Sequence, residues 1–143
     1  MQDLEKAKKI LNEKNLTLSI VKNDKIIFET TLHGISGFLE AVEKFGDKLN
    51  GASVADRVVG KAIALLCVYA KIKAVYAITL SKNGKAVFEE SMVHHEWKKL
   101  VNNILDYNRN ELCPFEELAT KISDPKDAYI RLKTLQNSLK HVR

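Results

Sequence analysis

Apolar positions along the chain change their spacing several times, which predicts alternating helices and strands. They recur three and four residues apart over residues 3–13 and again over 34–45, as in amphipathic helices. Between these segments, two apolar runs flank Asn23 and Asp24, a pattern typical of a β-hairpin with a tight turn. The first half is therefore predicted to run helix, strand, strand, helix, with Asp3 as the cap of the first helix.

The middle of the chain contains a segment that is apolar on every side. After a short apolar strand at residues 52–55, Asp56 is predicted to open a helix that ends near Ala70. Such a helix must be covered on all sides. Residues 73–81 follow as a strongly β-prone strand of the kind buried inside a sheet. A buried helix and a buried strand adjacent in sequence indicate an α/β fold, a three-layer α/β/α sandwich with a mixed central sheet.

Two interpretations remain for residues 81–91. Ser81 resembles the cap of a short helix that ends near Ser91. Asn83 and Gly84 would equally suit a hairpin turn between two strands.

Periodicity does not decide whether residues 92–108 form a strand or a helix. Cys113 and Pro114 have the pattern of a helix start, with proline at the first helical position and Glu116 where its side chain can reach back to the cap. A last helix is predicted after Asp124 and Pro125. It carries an apolar seam that would be buried against its own domain or in a homodimer, formed by Ala128, Leu132, Leu135, Leu139 and Val142.

Length and composition indicate a single globular domain, because the chain has 143 residues of which 45% are hydrophobic and 29% charged. We expect one domain over residues 1–143, with 124–143 as a C-terminal helical extension. The chain shows no membrane helix and no signal peptide, so we expect a cytoplasmic protein without a membrane partner. In a reducing compartment Cys67 and Cys113 would remain thiols.

The net charge of +5 raises the question of nucleic-acid binding. The lysines, however, are interleaved with apolar core positions and are not clustered with aromatic side chains, as single-strand binders require. We therefore do not expect nucleic acid as a partner.

Four segments resemble a family of small uncharacterised prokaryotic proteins whose fold is similar to that of cytidine deaminase: "VKNDKIIF", "GASVADRVVGKAIALL", "VYAITLS" and "YNRNELCPFEEL". The resemblance covers about residues 3–120 and leaves out the final helix. It implies a cleft at the heads of two helices, where zinc deaminases carry His-x-Glu or Cys-x-Glu and Pro-Cys-x-x-Cys. The corresponding helices would begin here at Asp56 and Cys113, and neither motif is intact.

A literal His-x-Glu does occur at His94-His95-Glu96. It lacks paired cysteines downstream and does not head a buried helix, so we assign no metal site and expect no cofactor.

The predicted first turn of the buried helix combines three local penalties. Arg57 and Lys61 would stack as like charges at the positive end of the helix dipole. Gly60 would cost about 1 kcal/mol relative to alanine in a helix interior. An anion at the N–H groups of residues 57–59, with Asp56 near a hydroxyl or amine, would account for all three. The alternative is that glycine permits close packing and both cations reach solvent.

The resemblance implies that the polar loop before the second helix lies near the same cleft, and this loop contributes further candidates. Arg109 would suit a phosphate, or would simply lie at the surface. Cys113 is either a reactive thiol at a helix N-terminus or a small capping residue. The candidate ligand-binding residues are Ser53, Asp56, Arg57, Gly60, Lys61, Asn108, Arg109, Cys113 and Glu116.

Three functions are compatible with these patterns, and no catalytic residue is assigned. The leading hypothesis is a binder of a nucleotide-like, phosphate-bearing small molecule on a deaminase-like scaffold without catalytic zinc. The second is a homo-oligomeric interaction module that dimerises through the last helix. The third is a metal-independent enzyme that acts on a nucleotide derivative.

Overall fold

A five-stranded mixed sheet forms the centre of the structure, a computed structural model that describes residues 2–105 and 112–141. The strands lie in the order β2-β1-β3-β4-β5. β1 pairs antiparallel with both β2 and β3, whereas β3, β4 and β5 run parallel. The carboxyl ends of these three parallel strands therefore meet at one edge of the sheet. The strand bounds are β1 Leu18–Lys22, β2 Lys25–Thr30, β3 Ser53–Val59, β4 Ala74–Ser81 and β5 His94–Val101.

Helices cover both faces of the sheet, which confirms the predicted α/β/α architecture. α1 packs on one face through a small apolar cluster with β1 and β3. The main core lies on the other face, where α3 is buried against α4 and α6. In the described part of the chain no helix is both long enough and apolar enough to cross a bilayer. The helix bounds are α1 Gln2–Glu13, α2 Ser36–Phe45, α3 Lys61–Tyr69, α4 Lys82–Glu90, α5 Pro114–Ala119 and α6 Pro125–His141, with a 3-10 turn at Gly46–Leu49.

The predicted β-hairpin is confirmed, and Asp3 has a different role from the one expected. Asn23 and Asp24 adopt positive φ angles of 52° and 66° between β1 and β2, as a type I′ turn requires. Asp3 lies inside α1, where its carboxylate accepts hydrogen bonds from the backbone N–H groups of both turn residues at 2.9 Å. It thus ties the turn to α1.

The predicted start of the buried helix at Asp56 is wrong. Asp56 and Arg57 belong to β3, which continues to Val59, and α3 begins only at Lys61. β-branched residues on either side of the charged pair favour a strand, and the register of β3 with β4 is unbroken on either side of Arg57. Gly60 is the N-cap of α3 in an extended conformation, not a helix-interior glycine. The like-charge stack on a helix face and the helix-interior glycine inferred from the sequence therefore do not exist, and only Lys61, the first residue of α3, lies at the positive end of the helix dipole.

Two open questions in the second half are resolved. Ser81 caps α4, because its Oγ accepts a hydrogen bond of 3.0 Å from the N–H of Gly84. Residues 92–108, undecided from periodicity, contain β5, which pairs in parallel with β4. The predicted helix start at Pro114 and the last helix after Asp124 are both present.

The apolar seam of α6 packs on the chain's own core over its first half. Ala128 and Leu132 are fully buried and Leu135 is half-buried, whereas Leu139 is 42% exposed. Gln136 is also buried there and donates a hydrogen bond to Ser36 at the start of α2. Val142, the last seam position, lies outside the described residues.

We predict that shortening a leucine side chain to alanine has unequal effects on stability in the two halves of the seam. Leu132→Ala should lower the free energy of unfolding by about 2–5 kcal/mol, because it leaves a cavity under α6. The matched change Leu139→Ala should cost under about 1 kcal/mol, because that side chain is already partly in water. Urea unfolding of both variants measures the difference, and equal losses would contradict the packing described for α6.

Candidate functional site

The N-terminus of α3 is occupied by a carboxylate from the same chain. Glu116, in the first turn of α5, accepts a hydrogen bond from the N–H of Lys61 at 2.7 Å and another from the N–H of Ala62 at 2.8 Å. One carboxylate oxygen takes each bond, so Glu116 caps α3 from outside the helix. We call this arrangement the Glu116 clamp. It satisfies two amides that would otherwise have no intrahelical partner and places a negative charge at the positive end of the helix dipole.

Two glycines make the space that the Glu116 clamp needs. A Cβ added to Gly60 would overlap the carboxylate of Glu116, although the φ of −110° at this residue is open to any amino acid. A Cβ added to Gly84 would lie 3.0 Å from the carbonyl carbon and oxygen of Gly60. Gly60 is therefore required for space and not for conformation. Through these contacts the start of α4 packs on the head of α3, which in turn binds α5.

Burial sets the protonation behaviour of the clamp. Glu116 is only 7% exposed, and this burial raises the pKa of its carboxyl above the usual range. The two backbone hydrogen bonds and the nearby Lys61 oppose that rise. Because bonds from N–H groups favour the ionised form, the clamp is strongest when Glu116 is a carboxylate.

Asp56 is a second buried carboxyl near the same helix, and it lies on the α3 face of the sheet. Its neighbours in register are Leu18 on β1 and Ala77 on β4, which both belong to the main core. Asp56 is 8% exposed, and burial raises the pKa of its carboxyl to about 7. Among the described residues, the N–H of Val58 donates a hydrogen bond of 3.2 Å to it. Asp56 can therefore exchange a proton near neutral pH.

Arg57 points to the opposite face of the sheet. Its Nε donates to the carbonyl of Leu16, and its Nη2 donates to the side chain of Asn15 at 2.8 Å. Both acceptors follow α1, so Arg57 fixes the connection between α1 and β1. It is not beside the head of α3.

Ser53 also lies away from the head of α3. It is buried at the opposite end of β3, three residues before Asp56, which corresponds to about 10 Å along a strand. Its register partners are Val21 and Ala74, at the other edge of the parallel strands.

The other candidates are Lys61, Cys113, Asn108 and Arg109. Lys61 is the first residue of α3, with a half-buried side chain that lines a cavity of about 360 Å³ beside α4. Cys113 precedes α5 as its N-cap, half-buried, and its side chain makes no capping hydrogen bond. Asn108 and Arg109 lie outside the described residues. The structure thus brings Gly60, Lys61 and Glu116 together. Asp56 lies four residues before Gly60 along the chain, in the middle of β3.

The His-x-Glu of the sequence lies on the edge strand β5. His94 Nε2 and Glu96 Oε2 are 2.8 Å apart, and His95 Nδ1 is 2.8 Å from the carbonyl of Val93. Within the described residues no group of three His, Cys, Asp or Glu side chains could hold a metal ion.

Sequence reasoning identified Glu116 as a candidate but missed its role. A glutamate two residues after Pro114 suggested a local cap of its own helix, whereas the carboxylate bonds to Lys61 and Ala62, more than fifty residues earlier. The signal that could have found it is Gly60 at the start of an apolar helix, since a missing side chain there leaves room for a foreign one.

Comparison with protein families gives one match that spans most of the chain. A family model described as "TM1506: Domain of unknown function (DUF1893)" matches residues 6–136. The match extends well into α6, so the final helix is not outside the family as the sequence resemblance implied. A search of curated proteins finds no significant match.

Solved structures similar to this one include a DUF1893 family protein from Thermotoga maritima. It is 27% identical, with a TM-score of 0.86 over 93% of this chain and 89% of that chain. Weaker similarity is found to a dCMP deaminase from the cyanophage S-TIM5, 18% identical with a TM-score of 0.48, over 67% of this chain and 94% of that one. A diaminohydroxyphosphoribosylaminopyrimidine deaminase/5-amino-6-(5-phosphoribosylamino)uracil reductase from Thermotoga maritima is 22% identical, with a TM-score of 0.47, over 84% of this chain and 41% of that one.

We predict that Gly60 and Glu116 are energetically coupled. Gly60→Ala should destabilise the protein by about 2 kcal/mol because the new methyl group displaces the carboxylate and leaves two amides without a partner. In a Glu116→Ala background the same change should cost under about 1 kcal/mol, since the overlap is gone. A double-mutant cycle measured by urea unfolding tests this, and additive effects would contradict the clamp.

We also predict that Asp56 makes stability fall as the pH rises towards neutral. The folded-state pKa of about 7 exceeds the ordinary value of 3.8, so the folded protein binds the extra proton between these values. Its contribution is fully present below the ordinary pKa of 3.8 and is lost as the pH rises through about 7, a change of at most about 4 kcal/mol. Asp56→Asn should remove this part of the pH dependence in urea unfolding; parallel curves for the two proteins would contradict it.

Proposed function

The chain belongs to the DUF1893 family, and we propose that it binds a small nucleotide-like molecule at the junction of β3 and α3. In this proposal Asp56 bonds a hydroxyl or amine of the ligand, and the side chain of Lys61 contacts its phosphate. The observation that carries the proposal is the carboxyl of Asp56, buried on a central strand with a pKa near 7.

A buried carboxyl needs a polar partner because desolvation disfavours its charged form. Near neutral pH both protonation states of Asp56 are populated, so it can accept a hydrogen bond from a ligand or donate one. Perturbed carboxyls of this kind concentrate at functional sites. Asp56 lies in the middle of β3, on the face of the sheet that carries α3.

The phosphate contact in this proposal involves the ammonium of Lys61 and not the helix amides. The N–H groups of Lys61 and Ala62 already donate to Glu116, so a phosphate would have to displace a buried carboxylate to reach them. Within the described residues the Lys61 side chain makes no ion pair, and it lines a groove of about 360 Å³ that Asn83, Glu89 and Glu90 also line. Asn83 in the same groove offers an amide for hydrogen bonds to a sugar or base.

The separation between Asp56 and Lys61 constrains the shape of the ligand. Asp56 and Gly60 are four residues apart in extended backbone, which corresponds to about 13 Å. A molecule that contacts both Asp56 and Lys61 must therefore be elongated. A nucleoside phosphate, with a polar base or sugar at one end and the anion at the other, fits this description.

A metal-independent enzyme is the second candidate, and it rests on the presence of two buried carboxyls with raised pKa values near one helix. Asp56 would then be the general acid or base, because Glu116 is engaged by the α3 amides. Turnover of a bound nucleotide, abolished in Asp56→Asn, distinguishes the enzyme from a binder.

We predict that a nucleotide-like ligand raises the melting temperature of the protein at millimolar concentration, as any ligand that binds only the folded state must. Lys61→Met keeps the backbone amide and the clamp, and should weaken binding of phosphate-bearing ligands about tenfold while sparing nucleosides. Asp56→Asn should weaken both classes. Thermal shift and calorimetry with nucleosides and their mono- and diphosphates measure these effects.

The matched control is Lys126→Met, which removes a lysine from the first turn of α6 and should leave binding unchanged. Circular dichroism verifies that each variant is folded. If no nucleoside or nucleotide stabilises the wild-type protein, or if Lys61→Met and Lys126→Met behave alike, the proposed site is wrong.

A further inference from the structure

Strand β5 has one edge paired with β4 and a second edge that no strand covers within the described residues. Its side chains are largely open to solvent, including Trp97 and Leu100, which are each 38% exposed. An open edge presents a row of free N–H and C=O groups, which is a template for another strand.

The side chains of β5 divide between the two faces of the sheet. Glu96 lies on the α1 face, since its carboxylate is 3.3 Å from the ammonium of Lys8. Trp97 lies on the α4 face, where the ammonium of Lys85 is 5.3 Å from the centre of its ring. Because side chains alternate along a strand, Lys98 shares the face of Glu96, and Lys99 shares the face of Trp97.

We propose that the free edge of β5 pairs antiparallel with β5 of a second copy of this chain, with Trp97 opposite Trp97. Two identical edges can extend one continuous sheet if a two-fold axis passes perpendicular to it. In an antiparallel pair, residues directly opposite each other lie on the same face of the sheet, whereas consecutive residues of one strand lie on opposite faces. The two-fold axis must therefore pass at a residue, which then faces its own copy, and not between two residues.

Charge disfavours two neighbouring registers of this pairing and favours the one centred on Trp97. An axis at Glu96 would set two carboxylates against each other, and an axis at Lys98 would do the same with two ammonium groups, which destabilises a strand pair. With the axis at Trp97, Glu96 of each copy lies opposite Lys98 of the other. This gives two pairs of opposite charge on one face of the sheet. The same axis also makes an aromatic pair of the two Trp97 side chains.

The carboxylate of Glu96 is already held in place by two neighbouring side chains. One oxygen is 3.3 Å from Lys8 and the other 2.8 Å from His94, so the carboxylate is held beside the strand. A carboxylate accepts about four hydrogen bonds, which leaves room for a lysine from the second copy. Edge lysines normally prevent such pairing; here the Trp97-centred register gives Lys98 an opposite charge.

A charge-exchange experiment tests this assignment. E96K should give like charges opposite each other in a homodimer, and so should K98E, so that each variant alone dimerises at least tenfold more weakly than the wild type. An equimolar mixture of the two should restore a heterodimer, because every facing pair is then complementary. K99E is the matched control, since it makes the same charge change on the other face and should leave the dimer intact.

Sedimentation equilibrium and native mass spectrometry report the species, with circular dichroism as the check on folding. Trp97 is the only tryptophan, so dissociation should also shift its emission to the red. A dimer with a Kd of about 10 µM would be the main species at a protein concentration of about 0.1 mM. A wild-type chain that is monomeric at that concentration would overturn the proposal. So would equal behaviour of K98E and K99E, or a dimer that breaks with L139E in α6 but not with K98E.

Discussion

The contact between the Glu116 carboxylate and the first two amides of α3 is the constraint on which the centre of this protein depends. α3 is buried from Ala62 to Cys67 and Lys61 is half-buried, so the first amides of the helix need hydrogen bonds from within the protein. Glu116 supplies them from α5, and Gly60 leaves the space for it. Gly84 brings α4 against the same junction. The starts of α3, α4 and α5 therefore meet at this junction, and the connection between β3 and α3 is fixed by a residue distant in sequence.

This arrangement changes what the head of α3 can bind. A free helix N-terminus attracts anions through its amides and its dipole, but here the anion belongs to the protein. The remaining functional groups are the buried carboxyl of Asp56 and the side chain of Lys61, on either side of the junction. In the proposed site, a ligand would interact with the Asp56 carboxyl, whose pKa is about 7, and with the Lys61 ammonium, which is why we propose a molecule with a polar group at one end and a phosphate at the other.

Local signals in the sequence identified most of the elements correctly. The turn at Asn23, the cap at Ser81 and the proline at the start of α5 each act within a few residues, and all are present. The predicted start of α3 is wrong because charged residues inside an apolar segment resemble a helix head, whereas Asp56 is buried in a strand by contacts with two neighbouring strands. The clamp joins residues more than fifty positions apart, which periodicity and spacing do not reveal.

Hydrogen exchange at the backbone amides of Lys61 and Ala62 tests the Glu116 clamp most directly. Amides in the first turn of a helix have no intrahelical acceptor and ordinarily exchange quickly. The clamp predicts that both amides are protected in the wild-type protein, to a degree similar to the interior of α3, and that Glu116→Ala removes this protection while the α3 interior keeps it. Rapid exchange of both amides in the wild-type protein, with the rest of α3 protected, would contradict the account.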